Sequence, residues 1–140
     1  MKKLLLLVTL AFSSLIHAEG FKTEEETKAF ADKLMDHFVV RKIEKGLDMA
    51  KPYWPLLEFE HDGMLNLLEL QWEGFDQRFG QAVGVEFLKE ERIGKTFLRY
   101  YYLHKLENHA IYWQLDFYKP KDEWIINQIY YVDTLDILYE

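Results

Sequence analysis

The acid–base chemistry that this sequence could support centres on His104 and Asp116. His104 lies in an alternating apolar pattern, and a histidine among apolar neighbours has a shifted pKa that suits it to proton transfer. Alternation from Ile111 to Phe117, however, turns Asp116 toward the opposite face of its strand. The two side chains are therefore not expected to meet, and a core histidine bonded to a neighbour is the simpler interpretation of His104. No catalytic residue is assigned, and an enzyme is the less favoured hypothesis.

Motifs for metals, nucleotides and covalent catalysis are missing from the sequence. The five histidines lack the i, i+4 spacing of a helical zinc site, and the chain contains no cysteine. There is also no glycine-rich phosphate loop, no nucleophile elbow of the form Gly-x-Ser-x-Gly and no dinucleotide fingerprint. We therefore expect neither a metal site nor a cofactor.

A cluster of aromatic and polar side chains is predicted to share one face of the later strands. A hairpin turned at Asn108 would set His104 opposite Trp113, with the tyrosines of the same strand beside them. Two tryptophans from the preceding helical segment could close the mouth of a cavity there. The candidate ligand-binding residues are Trp54, Trp72, Tyr100, Tyr102, His104, Trp113 and Asn127. Such a face suits a small apolar ligand with one or two polar groups, and ordinary core packing is the alternative.

Tyrosines are also predicted to collect on the opposite face of the sheet. Alternation places Tyr101, Tyr112, Tyr118 and Tyr130 there. Because tyrosine is enriched in interfaces and two-fold dimers are the commonest assembly, this face is a candidate homodimer interface. An interaction or structural protein is therefore a further hypothesis, and it is compatible with ligand binding.

Helical periodicity dominates the first half of the chain. Thr23 begins a capping box, and apolar residues then recur at spacings of three and four; the first helix is expected to end at Gly46. A short second helix is expected over residues 47–50. Asp62 is expected to cap a third helix that ends at Gly80.

From Gln81 onward the apolar period changes from 3.6 to two. Short runs rich in aromatic and β-branched residues alternate with turn signals, at Asn108 and at residues 119–122. No helical segment lies between these runs, so antiparallel pairing is expected. The predicted fold is α+β, with three N-terminal helices packed on a curved antiparallel meander of about four strands.

The end of the chain carries a strand, a turn and a last strand that begins with tryptophan. The sequence reads Phe-Tyr-Lys-Pro at 117–120, Trp-Ile-Ile-Asn at 124–127 and Tyr-Tyr-Val-Asp at 130–133. After three helices, this pattern resembles the nuclear transport factor 2-like superfamily, the SnoaL-like or cystatin-like cones, over about residues 23–135. Among its members, the chain is most similar to small exported bacterial proteins. The resemblance implies a cone-shaped domain, a helix-capped pocket and dimerisation through the sheet. No catalytic pattern of the superfamily's enzymes can be placed on these residues.

The first 18 residues have the three parts of a secretory signal. A cationic start at residues 1–3 precedes an apolar core at residues 4–16, and Ala18 offers a small residue for cleavage. The apolar core is shorter than the roughly 20 residues that a membrane-spanning helix needs. We expect a signal peptide at 1–18, a single domain at 19–140, a periplasmic or secreted location, and no stable membrane anchor after cleavage.

Composition bounds the function further. The chain has 140 residues and a net charge of −7 without basic runs, so a nucleic-acid partner is not expected. The leading hypothesis is an exported domain that binds a small hydrophobic or amphipathic ligand without catalysis. The alternatives are an isomerase, dehydratase or hydrolase that uses a pocket acid or base, and a homodimeric interaction protein.

Overall fold

The computed structural model describes residues 18–139, which form three α-helices followed by a four-stranded antiparallel sheet. The helices are α1 (Glu24–Val39), α2 (Ile43–Ala50) and α3 (Glu58–Phe79), with short 3₁₀ turns at Lys51–Tyr53 and Asp136–Tyr139. The strands are β1 (Ala82–Ile93), β2 (Phe97–Leu106), β3 (Ala110–Tyr118) and β4 (Ile125–Val132). The predicted α+β fold, with its helices on an antiparallel meander, is confirmed. Within residues 18–139, no helix is long and apolar enough to cross a membrane. Apart from Ala18, the predicted signal peptide lies outside the described residues.

Helix α1 begins where its capping residues predict. The Thr23 hydroxyl accepts a hydrogen bond from the Glu26 amide at 3.2 Å, and the Glu26 carboxylate accepts one from the Lys22 amide at 2.7 Å. These bonds satisfy backbone donors that a helix start leaves without partners. The apolar stripe that includes Leu34 and Phe38 is buried, as its spacing predicts.

The predicted end of the first helix at Gly46 is wrong. Helix α1 ends at Val39, because Arg41 has a positive φ of 63° and turns the chain into α2. Gly46 lies inside α2, where a Cβ atom would stand 2.8 Å from the Phe38 ring. The glycine therefore lets two helices approach closely and does not stop a helix. Helix α2 accordingly begins before the predicted range 47–50.

Helix α3 begins at Glu58, four residues before the predicted cap at Asp62. The Glu60 carboxylate accepts a hydrogen bond from the Leu57 amide at 2.7 Å, so this acid serves the helix start in place of Asp62. The helix ends at Phe79, and Gly80 follows with a positive φ of 84°, as predicted.

The sheet order is β1-β2-β3-β4, but the predicted register of the central hairpin is wrong by two residues. His104 pairs with Ile111, and Trp113 pairs with Tyr102. The reason is a two-residue turn, closed by a 2.8 Å bond from the Leu106 amide to the His109 carbonyl, which is tighter than a turn centred on Asn108. A slip of two residues keeps every side chain on its predicted face.

A bulge in β4 removes Asn127 from the face on which it was predicted. Asp116 pairs with Gln128 and Phe117 pairs with Ile126, so β4 has one extra residue between these pairs. Asn127 is exposed, whereas Ile126 is buried opposite Phe117. The inner face of β4 therefore consists of Ile126 and, beyond the bulge, Ile129 and Tyr131.

Candidate functional site

Most of the predicted ligand-binding side chains lie together in the core between the helices and the sheet. Trp72 from α3 stacks on His104 from β2 at 5.2 Å between ring centroids, and it contacts Trp113 from β3 at 5.5 Å. Tyr100 and Tyr102 are buried on the same sheet face. Trp54 is also buried, but its ring packs against His61 at 5.7 Å. Trp72, His104 and Trp113 are thus in direct ring contact, and Tyr100, Tyr102 and Trp54 belong to the same core. Asn127 is exposed and lies outside it.

His104 is completely buried and has no hydrogen-bond partner for either ring nitrogen among residues 18–139. Burial lowers its pKa from 6.5 to about 4, so the imidazole is neutral at pH 7. Asp116 lies on the opposite face, where its carboxylate accepts two hydrogen bonds from Arg99 at 2.8 and 2.9 Å. The described surroundings therefore give His104 no carboxylate with which to share a proton.

The hydroxyls of the two core tyrosines are bonded to helix α1. The Tyr100 hydroxyl lies 2.8 Å from the Thr27 hydroxyl, and the Tyr102 hydroxyl donates to the Asp32 carboxylate at 2.8 Å. Burial is the main reason why the pKa of each tyrosine is raised. These bonds attach α1 to the middle of β2, which is a structural use of both side chains.

An open apolar groove runs between α3 and β4. Its volume is about 630 Å³, within the usual range of about 300–1,000 Å³ for small-molecule sites. One wall consists of α3 side chains that follow one another at intervals of about one helical turn, together with a glycine. The other wall consists of the last residues of β4 and the residue after it. The groove is lined by Met64, Leu67, Gln71, Gly74, Phe75, Arg78 and residues 129–133.

The groove has an apolar floor and a charged end. Tyr131 forms part of the floor and contacts Trp113 at 4.9 Å, so the groove adjoins the predicted aromatic cluster. Burial raises the pKa of the Tyr131 phenol, which is therefore a neutral hydrogen-bonding group at pH 7. At the far end, the Arg78 guanidinium and the Asp133 carboxylate are 4.0 Å apart, and both remain accessible.

The α3 wall of this groove was missed in the sequence. Leu68 and Trp72 are four residues apart in α3, and both are buried on its inner stripe. Met64 and Leu67 lie beside that stripe, so the apolar arc of the helix is wider than one sheet face can cover. The width of that arc is the signal that could have indicated the groove.

The outer sheet face carries a connected polar network. The Gln114 amide donates to Asp116 at 3.1 Å, and the Tyr112 hydroxyl donates to Gln114 at 3.2 Å. Tyr101 and Tyr112 lie 5.4 Å apart between ring centroids and are both buried, whereas Tyr118 is 38% exposed. Two tyrosines of this face are therefore packed into the polar network, while Tyr118 leaves part of its surface accessible.

Between positions 18 and 139, no three His, Asp or Glu side chains are grouped in a way that could hold a metal ion. Comparisons of the chain with protein-family models, curated proteins and solved structures found no match. The class of protein is therefore defined by its fold, an α+β domain of three helices followed by a four-stranded antiparallel sheet.

Proposed function

We propose that this protein is an exported, non-catalytic binding module that holds a small hydrophobic or amphipathic ligand in the groove between α3 and β4. The observation that carries the proposal is the apolar groove itself. Leu67 on its wall is 47% exposed, and Leu70 on the next turn of α3 is 72% exposed. An open, mostly apolar pocket of this volume is the usual form of a small-molecule site.

The groove adjoins groups that can orient a ligand. The Tyr131 phenol can donate a hydrogen bond from the floor, and Arg78 and Asp133 offer charges at one end. A ligand with an apolar body and a polar end matches this arrangement, because most of its surface is buried while the polar end stays near water. Binding, rather than catalysis, is the activity that these groups support.

We also propose membership of the nuclear transport factor 2-like superfamily and export by the signal segment. The order of three helices and a four-stranded meander supports the first proposal. The cationic start, short apolar core and small residue at Ala18 support the second, with a periplasmic or secreted location.

The groove is tested by filling it from Gly74. A Cβ atom at Gly74 meets no described atom within 4 Å, so Gly74→Phe adds a side chain at the groove without a clash at its Cβ atom. We expect the variant to weaken binding of the neutral apolar dye N-phenyl-1-naphthylamine at least tenfold, measured by dye fluorescence with the purified protein.

The matched control is Gly63→Phe. Gly63 lies on the same helix, has equally open surroundings and is not part of the groove. This variant should bind the dye as the unmodified protein does. Equal dye affinity in both variants, or no dye binding to the unmodified protein, would contradict the proposed function.

A second role is supported by the outer tyrosine face. Tyr118 and Tyr130 are 38% and 39% exposed beside the buried pair Tyr101 and Tyr112. Exposed tyrosine on this face favours a homodimer through it, because tyrosine is enriched in interfaces. The face lies across the sheet from the aromatic core and, of its four tyrosines, Tyr130 alone also lines the groove, so dimerisation and ligand binding are compatible.

A further inference from the structure

The strand that borders the groove is an edge of the sheet. In the part of the sheet that the structure describes, β4 pairs with β3 on one side and with no other strand on the other side. Backbone groups of successive residues in a strand point to opposite edges, so β4 presents N–H and C=O groups away from β3. The groove wall contains five consecutive residues, Ile129 to Asp133, and therefore includes this backbone edge as well as side chains.

The same edge already accepts an extended segment at its beginning. Phe21 and Trp124 exchange two backbone hydrogen bonds of 2.8 Å each in an isolated antiparallel bridge. Ile125, the next residue, pairs with Tyr118 of β3, so Trp124 directs its backbone groups to the opposite edge. Strand pairing at this edge is thus compatible with the surrounding packing, and among residues 18–139 it stops before the groove begins.

The dimensions of the groove suit a short strand. From Met64 to Arg78, α3 runs for about 21 Å along the groove, given a rise of about 1.5 Å per residue. An extended peptide of five or six residues spans about 17–20 Å. Every second side chain of such a peptide would point to the same side, toward the apolar wall formed by Leu67 and Phe75.

We infer that the ligand of the groove is an extended peptide segment that pairs antiparallel with β4 as a fifth strand and inserts alternate apolar side chains between β4 and α3. This inference rests on the proposed function, because it names the ligand class of the same groove. Backbone hydrogen bonds supply the affinity in this mode of recognition, and the side-chain pockets supply the specificity. The antiparallel direction continues the Phe21–Trp124 bridge.

Charge narrows the class of peptide. The protein has a net charge of −7, so neutral or basic residues between the apolar positions are favoured over acidic ones. Trp72 contacts Tyr131, and Arg78 lies near Asp133, so α3 and β4 run in the same direction. An antiparallel peptide therefore begins at the Arg78 end, where the Asp133 carboxylate, 4.0 Å from the Arg78 guanidinium, offers an acceptor for a hydrogen-bond donor of the peptide.

The test uses the blocked peptide acetyl-Lys-Val-Thr-Val-Thr-Val-Lys-amide with the full protein. We expect it to displace N-phenyl-1-naphthylamine from the unmodified protein and from Gly63→Phe, and to bind Gly74→Phe at least tenfold more weakly. Two N-methylated forms distinguish the N–H groups on the two edges of the peptide. One is methylated at the three valines and the other at the two threonines. One form should lose at least tenfold in affinity, because its methyl groups replace the N–H donors that face β4, while the other form should bind unchanged.

Amide hydrogen exchange reports the same pairing from the protein side. Peptide binding should slow exchange at alternate amides between Ile129 and Asp133, and the dye should not. If the dye binds at the groove but the peptide neither competes nor protects these amides, the peptide inference is wrong and the proposed function stands. If neither binds, both fail. Equal binding of both methylated peptides would overturn the inference and indicate a site that recognises side chains only. Amide protection that rises with protein concentration alone would overturn it and indicate a second copy of the protein at this edge.

Discussion

At the scale of single residues, His104 is the most unusual side chain. It stacks on Trp72 in the core, and neither ring nitrogen has a hydrogen-bond partner in the described part of the chain. A buried polar group without a partner has lost its hydrogen bonds to water, and no hydrogen bond within the protein replaces them. Its pKa of about 4 reflects that loss, because the charged form is excluded from the core.

Replacement of this ring should change how stability depends on pH. In the unfolded chain His104 binds a proton near its ordinary pKa of 6.5, whereas in the folded protein it binds one only near pH 4. The unfolded state therefore gains protons first as the pH falls, and folding stability is lost between about pH 6.5 and pH 4. The loss from this one group is about 3 kcal/mol.

We expect His104→Phe to remove that contribution. Urea unfolding at pH 7 and at pH 4 gives the loss in the free energy of unfolding for each protein. The loss should be about 3 kcal/mol smaller in His104→Phe than in the unmodified protein. An identical loss in both proteins would show that His104 does not carry the effect.

At the scale of elements, Gly46 and Gly63 show that one residue type has two roles in helices. A Cβ atom at Gly46 would lie 2.8 Å from the Phe38 ring, whereas one at Gly63 would meet no described atom within 4 Å. Alanine is the better helix former by about 1 kcal/mol. Packing between helices therefore decides the effect of Gly46→Ala on stability, whereas backbone entropy decides the effect of Gly63→Ala.

The prediction is that Gly46→Ala lowers the free energy of unfolding by about 1–3 kcal/mol, since overpacking outweighs helix propensity. Gly63→Ala should raise it by about 0.5–1 kcal/mol. Thermal or urea unfolding of the two variants at pH 7 checks both signs. Stabilisation by Gly46→Ala would mean that α1 and α2 separate without cost.

The elements that could be predicted are those whose signals are local. Thr23 caps α1 through a bond to a residue three positions later, and alternation indicates the faces of β2 and β3. The role of Gly46 could not be predicted from the sequence, because the Phe38 ring that leaves no room for a Cβ atom there lies on another helix. The hairpin register depended on the length of one turn. The position of Asn127 depended on a bulge in β4, which no residue type in that strand indicates.

The candidate site was harder to predict than the fold. The aromatic residues Trp72, His104 and Trp113 do meet, as their periodicity indicates, but they meet as packed core. The groove beside them depends on how far α3 lies from the edge of the sheet. That distance is set by the tertiary packing of large side chains, which periodicity does not contain.

At the scale of the whole molecule, the sheet separates two surfaces with different uses. The groove lies between α3 and the edge of β4, while Tyr118 lies on the outer face and Tyr130 borders both surfaces. In the proposed homodimer the outer faces would meet, and the two grooves would remain open to solvent.

Assembly is tested at Tyr118, which is 38% exposed on the outer face and lies outside the groove. We expect sedimentation velocity at micromolar concentrations to show a dimer and Tyr118→Lys to show a monomer, because the substitution places a desolvated charge in the interface. Dye binding should be unchanged.

The matched control is Tyr139→Lys. Tyr139 is 90% exposed in the last 3₁₀ turn, which follows β4 and is not part of the sheet, so its replacement should leave the dimer intact. A monomer for the unmodified protein at 100 times higher concentration would contradict the homodimer.

The hydrogen bond between Glu19 and Pro52 has a consequence for maturation. The Glu19 amide donates to the Pro52 carbonyl at 2.7 Å, just before the bridge of Phe21 to Trp124. If export removes residues 1–18, as proposed, this donor becomes the amino terminus of the mature chain and carries a positive charge. A charge-assisted bond is roughly twice as strong as a neutral one. Processing would then reinforce the folded domain at the position where the leader was removed, so that the mature chain is held more firmly than its precursor.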